Sequence, residues 1–198
     1  MLFYMKRLSS WGWIPVAVLL AAVPLGFHFL DRWAADAATR SGRAAINSKQ
    51  YSQAVDHFNR AIQIAPKYAP AYHGRGVAYF HQGEWDRAIA DFTQAIQLDA
   101  TDARSRYDRG VAYSRVEDYD RALTDFGDAI RLKPGYARAY RARGWVYGKK
   151  GDAARAEADR QKGAELDPAG KADDGDSGPA TAPARSRLDN VEKLQSIR

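Results

Sequence analysis

Apolar residues follow two different patterns along this chain of 198 residues. From Leu8 to Leu30 no charged side chain occurs; Lys6 and Arg7 precede the run, and Asp31 and Arg32 close it. A helix over Trp11 to Leu30, at about 1.5 Å rise per residue, matches the roughly 30 Å hydrocarbon core of a bilayer. Trp11, Trp13 and Trp33 stand near its two ends, where amphipathic rings favour the headgroup level. The run predicts an N-terminal transmembrane helix within residues 1–34, meeting the lipid bilayer through residues 8–30. The alternative is a cleaved signal peptide. Pro24 suits that alternative by breaking the apolar helix. Against it, the best small-residue site, Ala35-Asp36-Ala37, lies beyond the charged Asp31-Arg32 pair.

After residue 34 the pattern becomes periodic. Gly42, Gly76, Gly110 and Gly144 follow one another at intervals of 34 residues. Twelve residues after each stands Ala54, Ala88, Ala122 or Ala156, then Phe58, Phe92 and Phe126, with Arg160 breaking the series. Ala61, Ala95, Ala129 and Gly163 come next, and the units close on Pro66, Ala100, Pro134 and Pro168. Within each second half, positions such as Ala88, Phe92, Ala95 and Ile96 recur at helical spacing and make one apolar stripe. Each unit therefore predicts two amphipathic helices joined by a short turn. The turn falls at Gly83-Glu84 and Gly151-Asp152, and at Lys49-Gln50 and Glu117-Asp118 in the other two units. Small residues let the paired helices approach, and Tyr79 and Phe92 fill the space between. Proline stops a second helix and suits the next start; Ala100 lacks that restraint, so a looser turn is expected between the second and third units. No helix pair buries its apolar face alone, so stacked neighbours must supply the core.

This spacing resembles the tetratricopeptide repeat family over residues 35–170. The resemblance implies an all-α fold, a right-handed superhelical stack of four helix pairs at 35–68, 69–102, 103–136 and 137–170, here behind the N-terminal transmembrane helix. The end units depart from the pattern as caps do. Ala38 and Ala45 replace the tyrosines of other units, and the last helix reads polar, with Ala153 and Arg160 at positions that are large and apolar elsewhere and Gly163 where the other units carry alanine. Residues 171–198, opening on Asp173-Asp174-Gly175-Asp176, have a composition that cannot bury a core. They are expected to be a flexible tail, with Leu188, Val191, Leu194 and Ile197 spaced for a short amphipathic helix.

Composition changes this picture little. The chain has no cysteine, which removes disulfides, thiolate metal sites and thiol nucleophiles. The net charge of +6 is spread among interleaved signs rather than gathered in one stripe, so nucleic acid is not the expected partner. His28, His57, His73 and His81 form no metal-ligand spacing, and no glycine-rich phosphate loop is present. No catalytic residue, metal or cofactor is expected, and the chain does not read as an enzyme.

Two polar patterns stand out. Arg75, Arg109 and Arg143 immediately precede their unit's glycine, and Asp91, Asp125 and Asp159 lie sixteen residues after them; the first unit has Ser41 and His57 there and lacks both. Their joint presence and absence predicts a pair within each unit, because an arginine left alone against an apolar interface is costly. The second pattern concerns binding. In the resembled family the first helices line a concave groove that takes an extended peptide or a partner's helix. The matching positions here point to Arg43, His73, Phe80, Arg104, Tyr107, Arg115, Arg138, Arg141, Trp145 and Lys149 as partner-binding residues. The set implies a protein or peptide ligand with acidic and apolar groups. Tyr107, Arg141 and Trp145 are expected on one wall. Thr39 and Arg43 do not reproduce the family's Lys and Asn clamp for a chaperone's terminal carboxylate. The expected function is a membrane-tethered scaffold, in a bacterial inner membrane with the repeats outside the cytoplasm. The alternatives are a structural accessory subunit of a membrane complex and an exported soluble protein.

Overall fold

In a computed structural model the chain is described over residues 14–168, with side chains from Leu30 onward. Residues 1–13 of the expected anchor, the side chains of residues 14–29 and the whole tail lie outside this description. Among the described residues no helix is long and apolar enough to cross a membrane.

Eight helices make up the described chain: α1 Ile14–Asn47, α2 Tyr51–Ile64, α3 Ala69–Gln82, α4 Trp85–Leu98, α5 Ala103–Arg115, α6 Tyr119–Leu132, α7 Ala137–Lys149 and α8 Ala153–Leu166. No strand interrupts them. From α2 onward the boundaries fall on the 34-residue period. α1 runs unbroken across position 34, so the N-terminal segment and the first repeat share one helix.

The four turns within units have one geometry. Lys49, Gly83, Glu117 and Gly151 all adopt left-handed backbone, with φ of 59°, 79°, 62° and 82°. In each, the N–H of the following residue (Gln50, Glu84, Asp118, Asp152) donates to the carbonyl of Ala45, Tyr79, Tyr113 or Tyr147, at 2.8–3.0 Å. This closes the last turn of the first helix. Glycine occupies the position twice and is replaced twice by a residue that pays a left-handed strain of about 1–2 kcal/mol.

The phenylalanine of each unit decides how closely its helices approach. A Cβ at Gly42, Gly76 or Gly110 would lie 2.7–2.8 Å from the ring of Phe58, Phe92 or Phe126. All three rings are buried, each contributing on the order of 1.5–3 kcal/mol. In the fourth unit the ring is missing and the helix itself moves into the space: a Cβ at Gly144 would meet the Ala156 carbonyl at 3.0 Å. Arg160 is exposed and pairs with Glu157, and α8 buries only Ala156, Asp159 and Gly163. The stack of described helices thus ends on a polar face.

The turn expected to be loose is well held, which corrects that expectation. Where Ala100 replaces proline, the Asp99 carboxylate accepts from the N–H and hydroxyl of Thr101 at 2.9 and 2.7 Å. Asp102 then caps α5, accepting from Arg104 N–H and Ser105 Oγ at 2.9 and 2.7 Å. Burial alone would raise the Asp102 carboxyl, but the Ser105 hydroxyl, the nearby His73 and the Arg104 N–H hold it below the usual carboxylate range. Side-chain capping substitutes for the fixed φ of proline.

Candidate protein-binding surface

α1, α3, α5 and α7 each touch the next in line, whereas α2, α4, α6 and α8 meet only helices adjoining in sequence. The first helices form the more crowded layer, and the stack curves towards them. That layer is the inner face.

Most of the side chains predicted to line it serve a different purpose. Three rows of the first helices, at three before and at one and four after the repeat glycine, lie where successive units meet. Val77, Phe80, Tyr107, Val111 and Ser114 are buried there. Tyr107 is 1% exposed and packs against Phe126 and Tyr136, with centroids 5.7 and 5.1 Å away. Phe80 is 8% exposed beneath the Arg115 guanidinium, 5.6 Å from its ring. His73 Nε2 is 2.7 Å from Oδ2 of the fully buried Asp108 on the next first helix. These three residues join units together, which departs from their expected place among the partner-binding residues. In the fourth unit, with no described successor, two of these rows stand open, Trp145 being 40% exposed with Gly148 exposed beside it; in the first unit Arg43 is exposed as well.

Arg141 also departs from its expected place. Its Nη2 donates to the carbonyls of Gly163 and Asp167 at 3.2 and 2.9 Å and to Asp167 Oδ2 at 2.8 Å. It holds the end of α8 against α7. Gly163 makes room for it, since a Cβ there would meet Arg141 Cγ at 2.7 Å. Trp145 leans instead on Tyr119 of α6, 6.4 Å away, with Lys149 Nζ 5.3 Å above its ring. Tyr107, Arg141 and Trp145 therefore do not share a wall.

What stays accessible is a smaller, basic set. Arg43, Arg104 and Lys149 are exposed, while Arg115 and Arg138 are half-buried. Arg138 lies 5.3 Å over the Tyr107 ring, the same arrangement as Arg115 over Phe80. In the third and fourth units this makes two rows, Arg104 with Arg138 near the start of the first helices and Arg115 with Lys149 near their end. Burial lowers the Arg115 pKa, yet a guanidinium stays charged at physiological pH. Arg115, Arg138 and Lys149 stand over aromatic rings that fix where their charges lie, whereas Arg104 lies 3.7 Å from Asp102.

The arginine–aspartate pairs form as the spacing predicts. Arg75, Arg109 and Arg143 grip Asp91, Asp125 and Asp159 with Nε and Nη2, all six bonds measuring 2.7–2.8 Å. Hydrogen bonds to the carboxylates raise each arginine above its ordinary pKa. Burial pushes the Asp125 carboxyl up against the pull of Arg109. Sequence reading missed the third contact: Arg75 Nη1 reaches Asn59 Oδ1 of the preceding unit at 2.7 Å, and Arg109 Nη1 reaches Thr93 Oγ1 at 3.0 Å. Gly127 stands at the matching place before Arg143 and offers no side-chain acceptor. The signal was present in the sequence, since Asn59, Thr93 and Gly127 are themselves 34 residues apart. It is invisible until the fold shows which residue faces the arginine. Asp108, two residues before its glycine where other units carry Arg40, Gly74 and Ala142, was likewise passed over.

Among the described residues no group of three or more His, Asp or Glu is placed to hold a metal ion.

Comparison with known proteins agrees with this geometry. A TPR repeat family model matches residues 42–83 and 76–116, and a tetratricopeptide repeat model matches residues 107–171. No curated protein sequence matches the chain significantly. Among solved structures, a crystal structure of MamA is 26% identical, covers 67% of this chain and 77% of its own, and superposes with a TM-score of 0.63. The Arabidopsis OM64 TPR domain is also 26% identical, over 60% of this chain and 98% of that domain, at 0.59. The first TPR of Spaghetti (RPAP3), bound to the HSP90 peptide SRMEEVD, is 18% identical over 61% of this chain and 95% of its own, at 0.59, and shows the shared fold.

Proposed function

Because the chain belongs to the tetratricopeptide repeat family, whose members are typically non-catalytic protein-interaction scaffolds, we propose that it is a membrane-tethered scaffold holding an extended segment of a partner protein. The segment lies along the inner face of the third and fourth units and carries carboxylates with an apolar anchor. The observation that carries this reading is the pair of basic rows, Arg104 with Arg138 and Arg115 with Lys149, ending at the exposed Trp145. Guanidinium groups held on aromatic rings present a fixed, forked donor set to carboxylates, and tryptophan gives a large contact area at low entropic cost. The acidic peptide held by the Spaghetti domain is a precedent for this ligand chemistry on the same fold. Arg43 lies at the other end of the stack and belongs to the surface only for a partner long enough to span all four units.

The test is capture of partners from a membrane extract by the full chain, set against Arg104→Glu with Lys149→Glu. Both residues are exposed, so the double variant should keep its thermal midpoint and lose its partner. Retained capture would overturn the reading.

The tether rests on the apolar run ending at Leu30 and on the exposure of Leu30 and Trp33 just before the first buried core residue, Ala35. Two large apolar side chains side by side in water are better accommodated at a headgroup layer. The compartment we favour is the outer side of a bacterial inner membrane. N-terminal sequencing of the mature protein would overturn the anchor by finding a start near Ala35, and protease accessibility in intact cells would decide the side.

A further inference from the structure

The second helices do not touch one another, so each neighbouring pair leaves a furrow on the outer layer, floored by a first helix. In the furrow between α2 and α4, Arg75 of α3 holds Asp91 on one wall and Asn59 on the other. Between α4 and α6, Arg109 of α5 does the same with Asp125 and Thr93. Between α6 and α8, Arg143 of α7 holds Asp159, and the facing residue of α6 is Gly127. A Cβ at Gly127 would lie 3.9 Å from Arg143 Nη1 and within 4 Å of nothing else beyond its own helix. The third donor therefore points at a wall that carries no side chain. The guanidinium is fixed in that pose, because Nε and Nη2 are committed to Asp159 and Cζ lies 5.6 Å over the Tyr140 ring. With 23% of its side chain exposed, Arg143 can be reached by a group from outside.

The other two furrows show which chemistry suits the third donor. Asn59 offers a carboxamide oxygen at 2.7 Å and Thr93 a hydroxyl oxygen at 3.0 Å, and both are neutral. Arg143 and Asp159 already cancel each other's charge. A carboxylate would enter as an uncompensated ion, whereas a neutral oxygen brings no charge to balance. Of the two neutral acceptors the carboxamide makes the shorter contact, and on Asn or Gln it ends a side chain able to enter a furrow.

We propose that Arg143 and Gly127 form a binding site on the outer layer for an asparagine or glutamine side chain of a partner polypeptide. Its carboxamide completes the tie from α8 to α6 that Asn59 and Thr93 complete within the chain. The site lies on the opposite layer from the basic rows and stands whether or not they bind. One hydrogen bond to a neutral acceptor is weak, so the carboxamide is one contact of a larger interface and sets its register. It also stiffens the end of the described stack, where α8 buries only Ala156, Asp159 and Gly163.

The blocked tripeptide Ala-Gln-Ala is the probe, with Ala-Glu-Ala and Ala-Ala-Ala as controls, added to the full chain in detergent micelles. The Gly127 amide and Arg143 Nε–H signals should shift with saturation at a dissociation constant on the order of 0.1 M, the worth of one net hydrogen bond. The controls should shift them less, and the Arg75 and Arg109 signals should stay in place. Gly127→Asn supplies the carboxamide from within and should remove the response. Thr93→Gly should create the same response at Arg109, and it carries the test should Gly127→Asn fail to fold. Equal responses at the three arginines, a linear response without saturation, or a response that survives Gly127→Asn overturns the site. A response as large with Ala-Ala-Ala, or larger with Ala-Glu-Ala, overturns the carboxamide.

Discussion

The second and third units and the fourth unit start from the same plan and end differently. In the middle of the stack, Phe92 and Phe126 separate their helices, and the side chains of α3 and α5 are used up in joining units. At the fourth unit the ring is gone, α8 draws in against Gly144, and the same rows stand open at Trp145 and Gly148. The arginine–aspartate pair survives in all three, but only Arg75 and Arg109 are tied by a third bond to the unit before. Identical positions thus mean interface in one place and surface in another. A residue's role in a stacked array is set by whether a neighbour follows.

The largest expected effect lies in the pairs. Arg109→Met leaves Asp125 buried with its carboxylate unanswered and should cost about 3–5 kcal/mol in denaturant unfolding. Adding Asp125→Leu should recover most of that loss. Arg143→Met should cost less, because the fourth unit lacks the third bond and α8 can move outward; equal costs in the two units would break the comparison.

Next come the repeat glycines. Gly110→Ala forces a methyl against the Phe126 ring, which is boxed in by Tyr107 at 5.7 Å, and should cost about 1–3 kcal/mol. Gly144→Ala meets a helix with no further helix packed behind it among the described residues, so α8 should yield and the cost fall below that of Gly110→Ala. Thermal midpoints of the two variants measure the difference.

Arg141 sharpens the contrast between sequence and structure. Its three bonds to Gly163 and Asp167 make it the clasp of the last helix. Arg141→Ala should lose about 1.5 kcal/mol and speed amide exchange across α8 while leaving α3 and α4 protected. A variant with unchanged exchange would return Arg141 to the binding surface.

The smallest effect concerns the left-handed turns. Gly83→Ala meets no atom within 4 Å, so its cost, about 1 kcal/mol, is purely conformational. Glu117→Gly should do the reverse and gain a few tenths of a kcal/mol, the relief of strain being partly offset by a freer unfolded chain. Chemical denaturation of both variants would check the sign.

Much was determined by the sequence itself. The 34-residue spacing of glycine, alanine and phenylalanine placed the helices, because helical packing needs small and large residues at set intervals. The pairing of Arg75, Arg109 and Arg143 with their aspartates was legible because both partners come and go together within one unit, where local geometry brings them into register. What the tertiary structure alone decided lies between units. Tyr107 and Phe80 read as partner-binding residues and are buried, Arg141 reads as a ligand contact and clasps α8, and His73 meets an aspartate 35 residues away. Periodicity fixes which face of a helix a residue occupies, but burial depends on how closely the next unit stacks on that face. That distance is set by the combined volume of side chains from four helices, and no single stretch of sequence contains it.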